Sequence, residues 1–458
     1  MLRAYLGGLR RDMSDIFGFH DEDAKGRTVY IFCVILNAFY NVFITGVFYT
    51  GFLSMNGMSI TDAGIVTFIP YLGNLFSVFS SKILRHFKRR KPVMIAAKIY
   101  FYVMYILAAT VMPQFVVDPQ QRLYWFAGIV FLAYALYAPF DPGFVIWFYR
   151  FFPKDDARRS RYLLYQQIAA SIVASVILIL SGVITDAVNN AENQRALING
   201  MRYFAFALVL LEIAIQVQAK EYPVPPEPPL RLTQVFTLPL KYKKFMASTL
   251  LMFAWNYIGN LNNGLWNYHL LNHLDFSYTI INTMAVGGTI ILLTTSGLWQ
   301  RVLARLSWIR TFALALLLWV PTEFGFFALA PRQTWLYVVL CIVQYILAAG
   351  INLSYANVLY MNLPKENETA LIAFNTLGRN FLAFLGLLTG TYVSAITGDT
   401  AVETLGMQVY SVQYTTMLRA ATILTMGVVL MKYWRAFTPD ADIARLERAK
   451  AEKRRAGA

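Results

Sequence analysis

Four asparagines, Asn256, Asn260, Asn263 and Asn267, recur at spacings of four, three and four within a largely apolar stretch from Phe253 to His269. On a helix of 3.6 residues per turn this spacing sets the amides along one face for roughly three turns. Amides are costly in hydrocarbon, so such a face is expected either to line a polar route through a membrane or to bridge packed helices. Trp255, Tyr257, Trp266 and Tyr268 flank it, and Gly259 and Gly264 would let the helix bend or unwind. Far upstream, Asn37, Tyr40, Asn41 and Thr45 repeat the helical spacing on another apolar stretch. Amides both donate and accept, and aromatic rings cover apolar sugar faces, so this chemistry suits a neutral polyhydroxylated solute. The same rings could equally shape a cavity for amphipathic drugs.

Charged residues within apolar stretches add a second layer. Arg379, one helical turn from Asn375, needs a partner or water; it either binds an anionic group of a substrate or fixes its helix through a structural contact. Asp141 precedes Pro142 and Gly143, and is expected either to carry a coupling proton as a buried carboxylate or to cap a half-helix. Glu212, with Gln216 one turn on, is a further candidate coupling site, although a supporting or snorkelling role is the plainer reading for it and for Glu323. Lys98 and Arg419 are expected to reach the membrane interface from near the ends of their helices. His269 and His273 have no third ligand beside them in sequence, so no metal site is predicted. Further polar candidates are Tyr134, Tyr137, Tyr165, Gln166, Tyr278, Asn282, Gln344, Asn352, Tyr355, Asn375 and Asn380.

The elements that must hold these residues follow from composition. The 458 residues are 57% hydrophobic and 14% charged, a balance that a soluble domain of this length would not keep. Apolar runs near the roughly 20 residues needed to cross a bilayer recur about twelve times. They lie at 28–53, 62–84, 92–113, 122–148, 161–187, 199–219, 244–271, 276–298, 309–330, 333–360, 369–396 and 411–433, and are called spans one to twelve. The charged first 27 residues do not read as a cleavable signal peptide. Cys33 and Cys341 fall inside spans, which suggests neither a disulfide framework nor a metal cluster.

The net charge of +15 reflects placement rather than a nucleic-acid partner. Basic residues crowd alternate loops, at Lys88–Lys91, Arg158–Arg161, Lys241–Lys244, Arg301–Arg305 and the tail, whereas the other loops hold isolated cations such as Arg122, Arg195 and Arg332. The positive-inside rule then sets both termini in the cytoplasm.

The chain also repeats itself. Tyr149 and Pro153-Lys154-Asp155-Asp156 match Tyr360 and Pro364-Lys365-Glu366-Asn367; Ser59-Ile60-Thr61 matches Ser277-Tyr278-Thr279. A proline-rich stretch, Pro223 to Pro229, separates the halves. The expected organisation is a cytoplasmic segment at 1–27, a six-helix bundle at 28–219, a linker at 220–243, a second six-helix bundle at 244–433 and a cytoplasmic tail at 434–458. The fold class is thus an all-α integral membrane protein of about twelve transmembrane helices in two pseudo-symmetric bundles.

Six spans per half, a cytoplasmic linker and matching basic loops resemble the major facilitator superfamily over nearly the whole chain. Its signature loop between spans two and three corresponds to Ser80–Arg89, where Arg85, Lys88 and Arg89 match but Ser80, Leu84 and Phe87 replace both glycines and the aspartate. The resemblance implies a gating latch role for Arg85, with Lys88 and Arg89 open to a plain topology-setting role. It also implies alternating access around a central site, with spans three, six, nine and twelve peripheral. The expected function is secondary active transport of a small polar organic solute, sugar or glycoside first, coupled to a proton or sodium ion. Efflux of amphipathic drugs and organic-anion transport through Arg379 are the alternatives. Substrate contacts are expected from Asn37, Tyr40, Asn41, Tyr137, Gln166, Asn256, Asn260, Asn263, Trp266, Asn267, Asn282, Asn352, Tyr355, Asn375 and Arg379. No phosphate-binding loop or catalytic cluster is visible, so neither enzyme activity nor a cofactor is expected. The chain is expected to act as a monomer in the cell membrane, without nucleic acid.

Overall fold

Each of the twelve apolar stretches forms one helix or one bent run of helices. The computed structural model describes residues 17–19, 21–153, 156–188, 190–222, 232–364, 368–398, 401–404, 407–438 and 443. The first 16 residues, the proline-rich stretch, positions 154–155 and 365–367 of the Pro-Lys repeats, and most of the tail lie outside the described residues.

Spans one to six are Glu22–Ile44 continued by Gly46–Met55, Ile60–Asn74 with Leu75–Phe79, Lys91–Tyr102 running on through Val103–Ala108, Pro119–Tyr137 with Asp141–Tyr149, Asp156–Asp186 and Ala191–Gln216. Spans seven to twelve are Lys243–Asn260 with Leu265–Tyr268, Tyr278–Arg305, Trp308–Phe327, Thr334–Met361, Glu368–Thr397 and Ser411–Phe437. Among the described residues, nine helices are long and apolar enough to cross a membrane, and eleven when each of two bent pairs is taken as one span. The remaining run is span seven, whose apolar character is diluted by its asparagines. The strands among the described residues are Val402–Thr404 and Met407–Val409, an antiparallel pair between spans eleven and twelve. The protein is therefore an all-α, multi-pass membrane protein.

The repeated serines have a local cause. The Ser59 hydroxyl accepts the Asp62 amide at 3.2 Å, and the Ser277 hydroxyl accepts the Ile280 amide at 3.3 Å. Each caps the first turn of a helix, satisfying a donor that has no partner within the helix. Asp21, Asp118 and Asn190 do the same for spans one, four and six.

The chain divides into two compact units, Met1–Met58 with Leu72–Pro229, and Ser59–Tyr71 with Leu230–Ala458. In the first, Val29, Cys33, Leu84, Met94, Phe144, Trp147 and Phe148 belong to one buried cluster. Its basic loop is tied to the end of span six: the Arg90 and Lys91 amides donate to Glu221 Oε1 at 2.6 and 3.0 Å, and Lys91 Nζ donates to the Val217 and Ala219 carbonyls. Next to Glu221, the Tyr222 hydroxyl donates to Asp23 at 2.7 Å, and its phenol is pushed up to about 12, first by that bond and then by burial.

In the second unit the core gathers around Phe312, Leu316, Trp299 and Ile351. Span eleven approaches span seven closely because Gly386 and Gly390 face the Tyr257 and Leu261 carbonyl oxygens, with no room for a Cβ. Small residues one turn apart let helix backbones approach in this way. Gly390→Leu is expected to destabilise the protein by about 1–3 kcal/mol through overpacking, read as a lowered unfolding temperature in detergent. Gly287→Ala, where a Cβ would meet open space, should leave that temperature unchanged or raise it.

Candidate functional site

In the second unit the asparagine face of span seven does not run straight. The helix stops at Asn260, the chain turns, and a new helix begins at Leu265. Gly264 sits at φ +81°, a left-handed conformation that suits glycine, and it abuts the Thr67 side chain. The break falls at Gly264 and not at Gly259, which stays inside the helix. Asn256, Asn260 and Asn263 remain linked across it. Asn263 Nδ2 donates to Asn260 Oδ1 at 3.0 Å, Asn260 Nδ2 to the Asn256 carbonyl at 2.8 Å, and Asn256 Nδ2 to the Tyr355 hydroxyl at 2.5 Å.

Tyr71 joins this cluster, donating to Asn260 Oδ1 at 3.1 Å. It is absent from the sequence candidates, since a lone tyrosine beside Pro70 carries no periodic signal. Arg379 from span eleven lies over the Tyr355 ring at 5.4 Å. Its Nε is buried without a hydrogen-bond partner, and no carboxylate among the described residues pairs with it. Among the described residues, then, an aromatic face is what supports this guanidinium in a membrane helix. The structural ion pair that the sequence left open for it is not formed among them.

Other candidates on these helices are less available. Asn375 is buried, donating to Met252 Sδ at 3.4 Å, and Asn282 is also buried. Trp266 packs edge-on against Phe326, whereas Asn352 is exposed. Asn267 is half-buried.

In the first unit the polar face of span one turns toward spans three and six. Asn41 Nδ2 donates to Asn37 Oδ1, and Asn37 Nδ2 to the Tyr40 hydroxyl, both at 2.7 Å. The Tyr40 hydroxyl donates to Glu212 Oε2 at 2.9 Å and meets the Tyr102 hydroxyl at 2.7 Å. Glu212 Oε1 is paired with Lys98 Nζ at 2.7 Å, and the two side chains are only 4% and 7% exposed. Lys98 also donates to Gln216 Oε1 at 3.0 Å.

The interface-seeking role expected of Lys98 is therefore wrong. Two buried opposite charges on neighbouring helices attract strongly enough to turn the side chain inward. Glu212 is likewise a paired interior charge rather than a snorkelling one. Lys98 and Tyr102 are the members that sequence reasoning missed, although the single cation in an apolar run signalled Lys98.

The second unit repeats the arrangement with the signs exchanged. Glu323 on span nine pairs with Arg419 on span twelve at 2.7 Å, the carboxylate side chain being 1% exposed. Trp319 Nε1 and Gln344 Nε2 add bonds to the same oxygen at 2.5 and 3.0 Å. Arg419 is thus no more an interface residue than Lys98.

Asp141 is exposed rather than buried, and its carboxylate accepts the Tyr137 hydroxyl at 3.1 Å instead of capping the second half of span four. That span still bends by 41° at this point. Gln166 is buried with its Nε2 unpartnered. Arg85, Lys88 and Arg89 are exposed. His269 and His273 meet through their Nδ1 atoms at 3.1 Å, and no group of three His, Cys, Asp or Glu residues that could hold a metal occurs among the described residues.

No known sequence family matches the chain, and no curated protein sequence does. Solved structures with the same fold include the nucleoside transporter NupG, at TM-score 0.62 and 14% identity, covering 90% of this chain and 98% of the other. The D-xylose-proton symporter aligns at TM-score 0.60 and 12% identity over 91% and 98% of the two chains. A POT family transporter in complex with 5-aminolevulinic acid aligns at 0.63 and 12% identity over 93% and 99%. The chain thus has the fold of major facilitator-type transporters, and at these identities the likeness is one of fold.

The charge pairs make a direct prediction. Arg419→Leu leaves Glu323 as an uncompensated buried carboxylate and is expected to cost about 3–5 kcal/mol, seen as a large fall in unfolding temperature. The double variant Glu323→Gln/Arg419→Gln should recover most of that loss. Equal losses in the single and double variants would show that charge pairing is not what this contact supplies.

Proposed function

We propose that this chain is a secondary active transporter that moves a small polar organic solute across the cell membrane by alternating access, with both termini cytoplasmic. The observation that carries this reading is the cluster of Asn256, Asn260, Asn263, Tyr71, Tyr355 and Arg379, a set of amides, phenols and one guanidinium with no described acid beside it, drawn from spans two, seven, ten and eleven. Polar groups are retained in such a setting when they serve a solute or ion. The exposed Asn263 has hydrogen-bonding capacity left for a ligand.

Among the transporters that share the fold, one is a nucleoside transporter, one a D-xylose-proton symporter and one is in complex with 5-aminolevulinic acid, all small and polar solutes. This supports the substrate class without choosing within it. Amides with flanking rings favour a sugar or glycoside. Arg379, which no described carboxylate neutralises, favours a solute bearing an anionic group, because a planar guanidinium matches a carboxylate or phosphate. Drug efflux has less support, since the cluster is polar. The substrate role extends by the same chemistry to Asn37, Asn41, Tyr137, Gln166, Trp266, Asn267, Asn282, Asn352 and Asn375, and the latch role to Arg85, Lys88 and Arg89.

Counterflow in proteoliposomes with neutral sugars, nucleosides, carboxylated solutes and cationic drugs is expected to identify an exchangeable polar solute. For that solute, Asn260→Ala and Asn263→Ala should each reduce exchange by about tenfold, the loss of one or two hydrogen bonds. Arg379→Gln should abolish exchange of an anionic substrate and spare that of a neutral one. Undiminished exchange in all three variants would remove this cluster from the substrate path.

A further inference from the structure

The first unit carries an open cleft that neither the charge pairs nor the proposed substrate residues use. Its volume is about 290 Å³, and its lining includes Arg90 and Met94 at the start of span three, Ile146, Trp147 and Arg150 at the end of span four, and Glu221 beyond span six. That is about ten times the roughly 30 Å³ that one water takes up in the liquid, room for a headgroup rather than a single ion. The walls are held in place. Glu221 Oε1 accepts the Arg90 and Lys91 amides, and Trp147 Nε1 donates to the Lys220 carbonyl at 2.7 Å. Lys91 Nζ lies 5.5 Å from the centre of the Trp147 ring, and Met94 and Trp147 are buried in the core of the unit.

The charge and the shape of the cleft point to different parts of one ligand. Two guanidinium groups and one carboxylate leave the lining with one net positive charge. The Arg90 guanidinium is half-buried and makes no hydrogen bond or ion pair among the described residues. Planar guanidinium groups match the oxygens of a phosphate, and one phosphodiester would balance the lining charge. At the mouth the character changes. Ile146 is 40% exposed, and Val145 and Tyr149 on the same helix are 64% and 57% exposed. Their spacing sets all three on one outward face. An exposed apolar patch of this kind on a multi-pass membrane protein meets lipid. A soluble anion would use the guanidinium groups alone, whereas a phospholipid uses both the charge and the apolar face.

We infer that this cleft binds an anionic phospholipid, with its phosphodiester held by Arg90 and Arg150 and its acyl chains lying along Val145, Ile146 and Tyr149. Basic pockets between membrane helices take lipid headgroups by this chemistry. With both termini cytoplasmic, as proposed above, the cleft opens to the cytoplasmic leaflet, the one that carries anionic lipid. The bound lipid bridges the start of span three, the end of span four and the segment after span six. Those elements already meet there through Glu221 and the Lys220 carbonyl. Binding at this place is independent of any transported solute.

Native mass spectrometry of the protein extracted from vesicles of equal parts phosphatidylglycerol and phosphatidylcholine reads this directly. The expected result is one retained phosphatidylglycerol in preference to phosphatidylcholine. Arg90→Gln/Arg150→Gln should weaken that retention at least about tenfold through the loss of charge-assisted hydrogen bonds. Ile146→Glu, at an exposed position whose substitution leaves the core intact, sets a carboxylate at the mouth and should weaken it by a similar factor. Lys241→Gln/Lys243→Gln removes the same charge from an exposed basic segment of the second unit and should leave retention unchanged. Equal retention of the two lipids, wild-type retention in Arg90→Gln/Arg150→Gln or in Ile146→Glu, or an equal loss in Lys241→Gln/Lys243→Gln overturns the site. Glycerol 1-phosphate, which has the phosphate without acyl chains, should displace the lipid far less well than dioctanoyl phosphatidylglycerol does. Equal displacement by the two would mark a site for a soluble phosphate and overturn the lipid assignment. None of these outcomes bears on the transporter reading, which counterflow tests separately.

Discussion

A charge removed from water into the interior of a helix bundle costs several kcal/mol unless another charge or a full set of hydrogen bonds meets it. On the helices expected to be peripheral, Lys98, Glu212, Glu323 and Arg419 are such groups. Each unit resolves them in the same way, by joining its third helix to its sixth through one ion pair. The pair fixes which face of each helix turns inward, and much of the polar architecture follows. In the first unit the oxygen of Glu212 not used by Lys98 captures Tyr40, and Tyr40 in turn holds Asn37. The contact that neutralises the buried charge therefore also orients the polar face of span one.

The second unit orients its polar face by steric means. Gly386 and Gly390 bring span eleven against the backbone of span seven, and span ten supplies Tyr355, which receives Asn256 and lies under Arg379. The break at Gly264 ends the helix within the asparagine series, so Asn263 lies in a turn and bonds back to Asn260. The two units thus duplicate their ion-pair framework with opposite polarity and differ in what they present: a carboxylate bonded to a tyrosine hydroxyl in one, a guanidinium without a described acid in the other.

Much of this is legible in the residues before the fold. Twelve apolar stretches of membrane length become twelve helices or bent runs, and the repeated serines are helix caps. The periodic asparagines do form a cluster, but its partners Tyr71 and Tyr355 come from other helices, and only Tyr355 stands out in the sequence. For Lys98 and Arg419, a position near a span end allows the interface as readily as the interior, and hydropathy gives no reason to choose the interior. Asp141 lies in an apolar run, which suggests burial, yet the bend in span four leaves it exposed. In each case the sequence position is clear and the facing direction is not.

By itself the sequence determined the number and length of the helices, their caps and the polar inventory of each. These depend on local periodicity, on the length needed to cross hydrocarbon and on side chains meeting their own backbone, all of which are written within a few residues. Only the tertiary structure decided that Lys98 meets Glu212, that Arg419 meets Glu323, and that Arg379 meets no described acid. Such pairings depend on rotation about helix axes and on contacts between residues far apart in the chain: 114 positions separate Lys98 from Glu212. Hydropathy cannot encode that choice, because any rotation that buries the charges with partners satisfies it equally well, and packing selects among them.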